Sequence, residues 1–414
     1  MTDDRTSTSP AQARALAGIR VLDLSRVLAG PWATQMLGDL GADIIKIEKP
    51  GAGDDTRGWG PPWLADGEGR ETRESAYFLA ANRNKRSVTI DMAKPEGQAL
   101  IRRLAQTSDV LVENFKVGGL KRYGLDHESL AALNPRLVYC SITGFGQDGP
   151  EAGRAGYDFM IQGMSGLMSV TGSPETEPQK IGVALVDVLT GLHAAIAVLA
   201  ALQQRQRTGR GQHVDLALFD VAMASLANQA LNYLVGGTAP RRLGNAHPNI
   251  VPYQAFETAD GHLILAVGND AQFARFCRIA DLPEVAGDAR FLANAGRVAH
   301  REALIPLVAA ALKRQTTGEW LAMLDAAGIP AGPINTIAQA FAEPQALARG
   351  LALNLPHVLG GVAPGVRSPL RLSDSPVDAP LAPPTLGQHT DAVLEEVLGL
   401  TAEERARLRD AGVL

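Results

Sequence analysis

Cysteine is nearly missing from this chain. Cys140 and Cys277 are the only two in 414 residues, which excludes a disulfide framework and a cysteine-rich metal site. H-E-x-x-H is absent and the eight histidines are scattered, so no metal is expected. No surplus of positive charge exists either. The 39 Lys and Arg stand against 44 Asp and Glu, for a net charge of −5, and no nucleic-acid-binding surface is indicated. G-x-G-x-x-G and G-x-x-x-x-G-K-[ST] are both absent, which argues against a dinucleotide site and a P-loop. "GMSGL" is the nearest approach to G-x-S-x-G but lacks the second glycine in register, so no serine nucleophile elbow is present. Residues 1–17 carry Asp3, Asp4 and Pro10 where a secretory signal would be basic and then apolar. They read as a loose tail, and a cytoplasmic enzyme is the expectation. No internal repeat or low-complexity tract occurs.

What is present is alternation. "IRVLDL", "ADIIKIEKPG", "SVTIDM", "DVLVENF" and "RLVYCSITGFG" read as buried strands, separated by helical stretches such as "WATQMLGDLG" and "KPEGQALIRRLAQTS". Pro31 suits the first turn of a helix. This pattern predicts an α/β fold with a parallel sheet and a ligand at the carboxyl ends of its strands. The first part of the large domain is expected over 18–222 and a linker over 223–247. A small α+β domain over 248–330 follows, opened by a hairpin, "YQAFETADGHLILAVG", turning at Asp260 and Gly261. A Pro- and Gly-rich linker over 331–345 leads to a C-terminal part of the large domain over 346–414.

One stretch is unusual. "IGVALVDVLTGLHAAIAVLAALQQ" holds a single acid, Asp187, and no other Asp, Glu, Lys or Arg. A membrane span is one reading, but Asp187, His193 and Gln203 sit badly in lipid and no second span exists. A second is that Asp187 caps a helix over 188–206 that ends in basic "RQRTGRG". Capping would hold the carboxylate ionised through the helix dipole and backbone donors, a suitable state for a nucleophile.

Three polar segments carry alternatives. "NRNKRS" (82–87) is either a solvated loop or a phosphate clamp. In "RAGYD" (154–158), Tyr157 and Asp158 cap a helix or contact a ligand. Asn114 in "VENF" makes a loop hydrogen bond or awaits a ligand at a strand end.

Taken together, "VLDLSRVLAGPWATQMLGDLGADIIKIEKPGAGD", "NRNKRSVTID", "VENF", "YCSITGFGQDGP", "GYD", "ALVDVLTGLHAA", "TGRGQHVDLALFD" and "GQHT" resemble the class III CoA-transferases, the formyl-CoA transferase and carnitine CoA-transferase family, over about residues 18–414. The resemblance implies a Rossmann-like large domain, a small domain and two chains interlocked as a homodimer, with no membrane and no permanently bound cofactor. Coenzyme A is then a substrate, carried as acyl-CoA. Asp187 matches the family nucleophile, which forms an aspartyl anhydride and then an aspartyl-CoA thioester. Apolar surroundings would keep water from the anhydride. CoA contacts carry over to Leu28, Ala29, Lys49, Ile90, Asp91, Met92, Ala93, Asn114, Phe115, Lys116, Arg122, Ala155, Gly156, Tyr157 and Asp158. Lys49 and Arg122 suit its phosphates. Formyl-transferring members carry Gln where Leu28 stands and a "GGGGQ" loop that this chain lacks, which argues against formyl-CoA and oxalate.

"GAGDDTRGWGPP", "HPNIVPYQAF" and "GNDAQF" are similar to the succinyl-CoA:glutarate CoA-transferase branch, which implies short dicarboxylates. A distal carboxylate needs a cation, and Arg154, Arg242 and His247 are the candidates. The runner-up activity is that of an α-methylacyl-CoA racemase, whose second base would be a His where Tyr157 stands; a phenol is a poor base near neutral pH. A non-catalytic CoA-binding protein is a third reading.

Overall fold

Short β-rich runs separated by amphipathic stretches assemble as their spacing requires. The computed structural model describes residues 14–377 and 380–414, so most of the expected tail, residues 1–13, lies outside the described residues. The chain forms two units. One extends through Ser165, resumes over Gly182–Ala227 and returns for Ala346–Leu414; the other comprises Gly166–Ile181 and Asn228–Gln345.

The first unit is built on β1 (Arg20–Asp23), α1 (Ala29–Asp39), β2 (Asp43–Glu48), a hairpin of β3 (Trp63–Ala65) and β4 (Glu71–Ser75), α2 (Ala76–Ala81), β5 (Lys85–Thr89), α3 (Pro95–Gln106), β6 (Val110–Glu113), α4 (His127–Leu133) and β7 (Val138–Thr143). After α5 (Asp158–Met164), the chain makes α6 (Leu167–Val170) in the second unit. It re-enters the first with α7 (Leu185–Thr208), β8 (His213–Ala217) and α8 (Leu218–Ala224), which α9 (Ala227–Gly236) follows. The central sheet has the order β5-β2-β1-β6-β7-β8 and its pairings are all parallel. Adjacent βα units laid side by side account for this order. The β3–β4 hairpin has no counterpart in the sequence reading, because its segment is polar and Gly-rich rather than periodic.

One face of the sheet packs Leu22, Ile45, Ile90, Leu111 and Tyr139 against α3 and the C-terminal residues Val393, Leu394 and Val413. The C-terminal segment also closes the sheet at β5. His389 N donates to the Ser87 carbonyl, Gly387 N to Ser87 Oγ, and Thr390 Oγ1 accepts from Thr89 N.

The other face carries α1 and α7. By length and composition α7 could cross a bilayer. In this fold it lies on α1, and near its far end the buried Arg205 donates to the Asp109 carboxylate at 2.8 Å. Gly209, with φ of 70°, ends it in the left-handed region.

In the second unit, β9 (Tyr253–Glu257), β10 (His262–Ala266) and β11 (Ala331–Pro333) form an antiparallel sheet. Its core joins Phe256, Leu265, Phe276, Val308, Trp320 and Leu324. The expected linkers are more ordered than their composition suggested. Residues 223–247 contain α9, and 331–345 contain β11 and the helix Ile337–Ala342. A further hairpin, β12 (Ala352–Pro356) with β13 (Val362–Val366), belongs to the first unit.

Gly191 lets α7 approach α1. A Cβ there would stand 2.8 Å from the Ala29 carbonyl oxygen and 3.1 Å from Trp32. Gly191→Ala should therefore destabilise despite its better helix propensity, by about 1–2 kcal/mol. A fall of about 2–6 °C in the thermal midpoint is the expected reading; an unchanged midpoint would show that the helices separate freely.

Candidate active site

Asp187 lies in the first turn of α7, not at its cap. The helix begins at Leu185, its N-cap is Ala184, and no side chain of its own caps it. The apolar residues before Asp187 continue the helix, and the donors of its first turn are satisfied from elsewhere. Asp158, buried at the start of α5, accepts from the amides of Val186 at 2.8 Å and Asp187 at 3.3 Å. Its other oxygen accepts from Gln162 Nε2 at 2.7 Å.

This arrangement overturns the expected electrostatics. Asp187 is not held strongly ionised: burial, and then the charge of Asp158, push its carboxyl up to about 7. Burial and the same two carboxylates also raise Tyr77 on α2, which faces them. Tyr77 meets Trp59 edge-on with ring centroids 5.1 Å apart. Neither aromatic stood out in the sequence, because single aromatics in a turn-rich segment carry no periodic signal.

The segments expected to contact CoA follow the carboxyl ends of adjacent strands β5, β2, β1, β6 and β7. Leu28 and Ala29 are buried where α1 begins. Lys49, exposed after β2, accepts from Gly53 N through its carbonyl. Ile90 is buried, Met92 packs against the core, and Asp91 accepts from Ala93 N while its own amide donates to the Val413 carbonyl. The Asn114 side chain spans the neighbouring turn, accepting from Arg26 N at 2.9 Å and donating to Arg26 O at 2.6 Å. Phe115 lies under the Arg26 guanidinium. Arg122 is exposed and sits over the Tyr123 ring. Gly156 touches the backbone of Gly144, where neither tolerates a Cβ; Ala155 and Tyr157 beside it are exposed.

Lys116 lines a cavity of about 210 Å³ with Glu113, His127, Ser141 and His213. Burial drives Glu113 up to about 7 against the hydrogen bonds of Ser141 and Phe115 N. The His127 and His213 rings stack at 4.7 Å. A second cavity, of about 310 Å³, opens beside Pro50, Gly51, Thr89, Gly387 and Thr390.

The three candidate cations for a distal carboxylate divide between the units. Arg154 is exposed in the first and pairs with Glu151 at 3.0 Å. Arg242 and His247 are in the second. Arg242 donates to the carbonyls of Ser173 and Thr176, and His247 stacks on Tyr253.

"NRNKRS" is neither a solvated loop nor a phosphate clamp. Arg83 pairs with Asp39, Arg86 with Asp43 and Glu396, and Lys85 is fully buried against Asp23, Asn82 and the Pro31 carbonyl. Lys85 belongs to a buried charge network that the sequence reading missed. Lys46 donates to Asp54 and to the Ser25 carbonyl, both at 2.8 Å, and Arg57 bridges Glu48 and Glu74. Burial opposes every charge here, yet Lys46 holds Asp54 down at about 2, while burial drags Lys85 down to about 8. Lys46 and Glu48 at alternate positions of an otherwise apolar strand were the available signal. Among the described residues, no cluster of three His, Cys, Asp or Glu could hold a metal ion.

The model of CoA-transferase family III matches residues 16–390. The chain belongs to CoA-transferase family III. It is a transferase of 52% identity, over 92% of its own length and 95% of the other's, to a succinate–glutarate CoA-transferase of Agrobacterium fabrum. It is 43% identical, over 96% and 90%, to the succinyl-CoA:glutarate CoA-transferase of Homo sapiens. The crystal structure of a CAIB/BAIF family protein from Brucella suis superposes with a TM-score of 0.82 at 52% identity, covering 93% of this chain and 100% of that one.

The raised Asp187 carboxyl has a cost in stability. Between about pH 4, where it titrates unfolded, and about 7, where it titrates folded, the native transferase binds more protons, so stability falls as pH rises through that window. Asp187→Asn removes the effect. Allowing for partial exposure, the variant should be more stable than the parent by about 1–2 kcal/mol above pH 7, with the gap closing towards pH 4. Thermal midpoints measured at pH 4.5 and 8 check this; a pH-independent difference would contradict it.

Proposed function

We propose that this transferase moves CoA from succinyl-CoA to glutarate or a close relative, with Asp187 as the covalent nucleophile. The observation that carries the reading is the placement of Asp187: a half-buried carboxylate in the first turn of a long apolar helix, without a basic partner to quench it among the described residues. The names of the succinate–glutarate and succinyl-CoA:glutarate relatives support the choice of acids.

An Asp187 oxygen adds to the thioester carbonyl, the C–S bond breaks and CoA leaves as thiolate. The thiolate attacks the aspartyl carbonyl of the resulting anhydride, which releases succinate and leaves aspartyl-CoA thioester. The glutarate carboxylate attacks that thioester, expelling the thiolate again. Thiolate attack on the glutaryl carbonyl then yields glutaryl-CoA and regenerates Asp187. Two modest exchanges replace one difficult one. With a carboxyl near 7, the nucleophile is about half ionised at neutral pH and more basic than an ordinary aspartate.

Leu28, Ala29, Lys49, the segment 90–93, Asn114–Lys116, Arg122 and the segment 155–158 form the CoA-binding edge in this reading. The exposed Lys49 and Arg122 supply charge for phosphate oxygens. Asn114 acts by joining the first and sixth strand loops as much as by touching the ligand. The enzyme works as an interlocked cytoplasmic homodimer. The exposed apolar side chains of α9, Leu234 at 72% and Val235 at 84%, support a partner surface there.

Asp187→Ala should lose transfer activity by many powers of ten, because no ionised carboxylate remains to attack the thioester. CoA exchange between labelled succinyl-CoA and glutarate measures this, and more than about a tenth of parental turnover would overturn the assignment. Glutarate should be preferred strongly over butyrate, which lacks the distal charge. Equal use of the two would defeat the dicarboxylate reading and leave CoA transfer standing.

A further inference from the structure

We propose that Asp158 is a positioning residue: its carboxylate ties down the amides of the turn that carries Asp187 and sets a second negative charge beside the nucleophile, which acylation relieves. This rests on the reading of Asp187 as nucleophile. The first turn of α7 leaves orphan N–H groups that its N-cap, Ala184, cannot satisfy with a side chain. Asp158 Oδ1 takes two of them, from Val186 and from Asp187 itself. The tether spans from α5 to α7, so the Asp187 backbone is fixed to a second element and not only to its own helix. Gln162 holds the other oxygen. No ion pair neutralises Asp158 among the described residues.

The two carboxylates therefore lie near enough for the charge of Asp158 to add to burial in raising Asp187. When Asp187 attacks, its negative charge passes to the departing CoA thiolate, and the acylated side chain is neutral. The repulsion from Asp158 is present in the free enzyme and gone in the anhydride and the thioester. Asp158 thus raises the ionised nucleophile relative to both covalent intermediates. It contributes this without touching a reacting atom.

Among the described residues, no other titratable group on the elements packed against α7 offsets this charge at Asp187. Tyr77 faces the pair from α2. α1 is uncharged from Ala29 to Leu37, and its Asp39 pairs with Arg83. α8 brings the exposed Asp220, and β7 the buried Cys140. On β8, His213 bonds Ser141 and Asp215 accepts from Gln147 N. On α7 itself, His193 is tied to the Leu189 carbonyl.

Asp158→Asn keeps an acceptor for the two amides and removes the charge. Asp158→Ser is a second neutral acceptor, and Asp158→Ala removes both functions. The measurement is the pH profile of kcat/KM for succinyl-CoA, with the thermal midpoint recorded alongside. In the parent enzyme the acid limb should fall near 7, where Asp187 titrates. In Asp158→Asn the limb should move about one unit lower, and the plateau should drop about tenfold with the midpoint nearly unchanged. Asp158→Ser should move the limb in the same direction. Asp158→Ala should also lower the midpoint, because the amides lose their acceptor. A parental limb and plateau in both Asn and Ser variants would overturn the proposal. If Asp187→Ala is inactive in the same assay, that outcome removes only the role of Asp158; if Asp187→Ala turns over, the nucleophile reading itself has failed.

Discussion

Lys46 has no exposed surface, and neither has the Asp54 carboxylate it meets. An ammonium in that position must be fully partnered, since an uncompensated buried charge costs several kcal/mol. Its partners are Asp54 and the carbonyl of Ser25, and meeting that demand shapes the turn after β1. Asp54 in turn accepts from Val27 N and from Thr56. On the same face, Asp23 takes Lys85, Ser25 and Thr34. The sheet is thus cross-braced by charge beneath the loops of the candidate site.

The brace explains a strained residue. Val27 has φ of 70°, a conformation that a β-branched side chain adopts only under constraint. Asp54 holds its amide, and Asn114 grips the backbone of Arg26 immediately before it. The turn leads directly into α1, and α1 lies against α7 at Gly191. Rigidity passes from the buried ions through the turn to the helix that presents Asp187. Preorganisation of this kind suits the proposed reaction, in which one carboxylate meets several different acyl groups in succession.

Much of the frame was legible because it is local. Strand and helix periods, Pro31 in the first turn of α1 and the polar turn between β9 and β10 are properties of neighbouring residues. Asp187 drew attention because an apolar run had no other acid to share its charge. The helix starts before Asp187, where its sequence gives no cap, because the acceptor that replaces one, Asp158, lies 29 residues upstream of Asp187. The same blindness applied to "NRNKRS". Composition cannot separate a solvated lysine from Lys85, whose Asp23 partner is 62 positions away. The family resemblance supplied the candidate CoA contacts, but not the observation that Asn114 and Asp158 spend their side chains on backbone groups.

The closure of the sheet at β5 by residues 387–390 sets the order in which a ribosome can deliver this protein. Every strand of the parallel sheet has been synthesised by Ala217, yet the partners of Ser87 and Thr89 arrive some 170 residues later. During that interval the outermost strand has an unpaired edge, the kind of surface that recruits other chains. The larger part of the second unit, Asn228–Gln345, is made within it. A nascent chain of this transferase must therefore keep that edge unoccupied while it builds the second unit, and chaperone demand should be greatest in the stretch of translation between the eighth strand and the final helices.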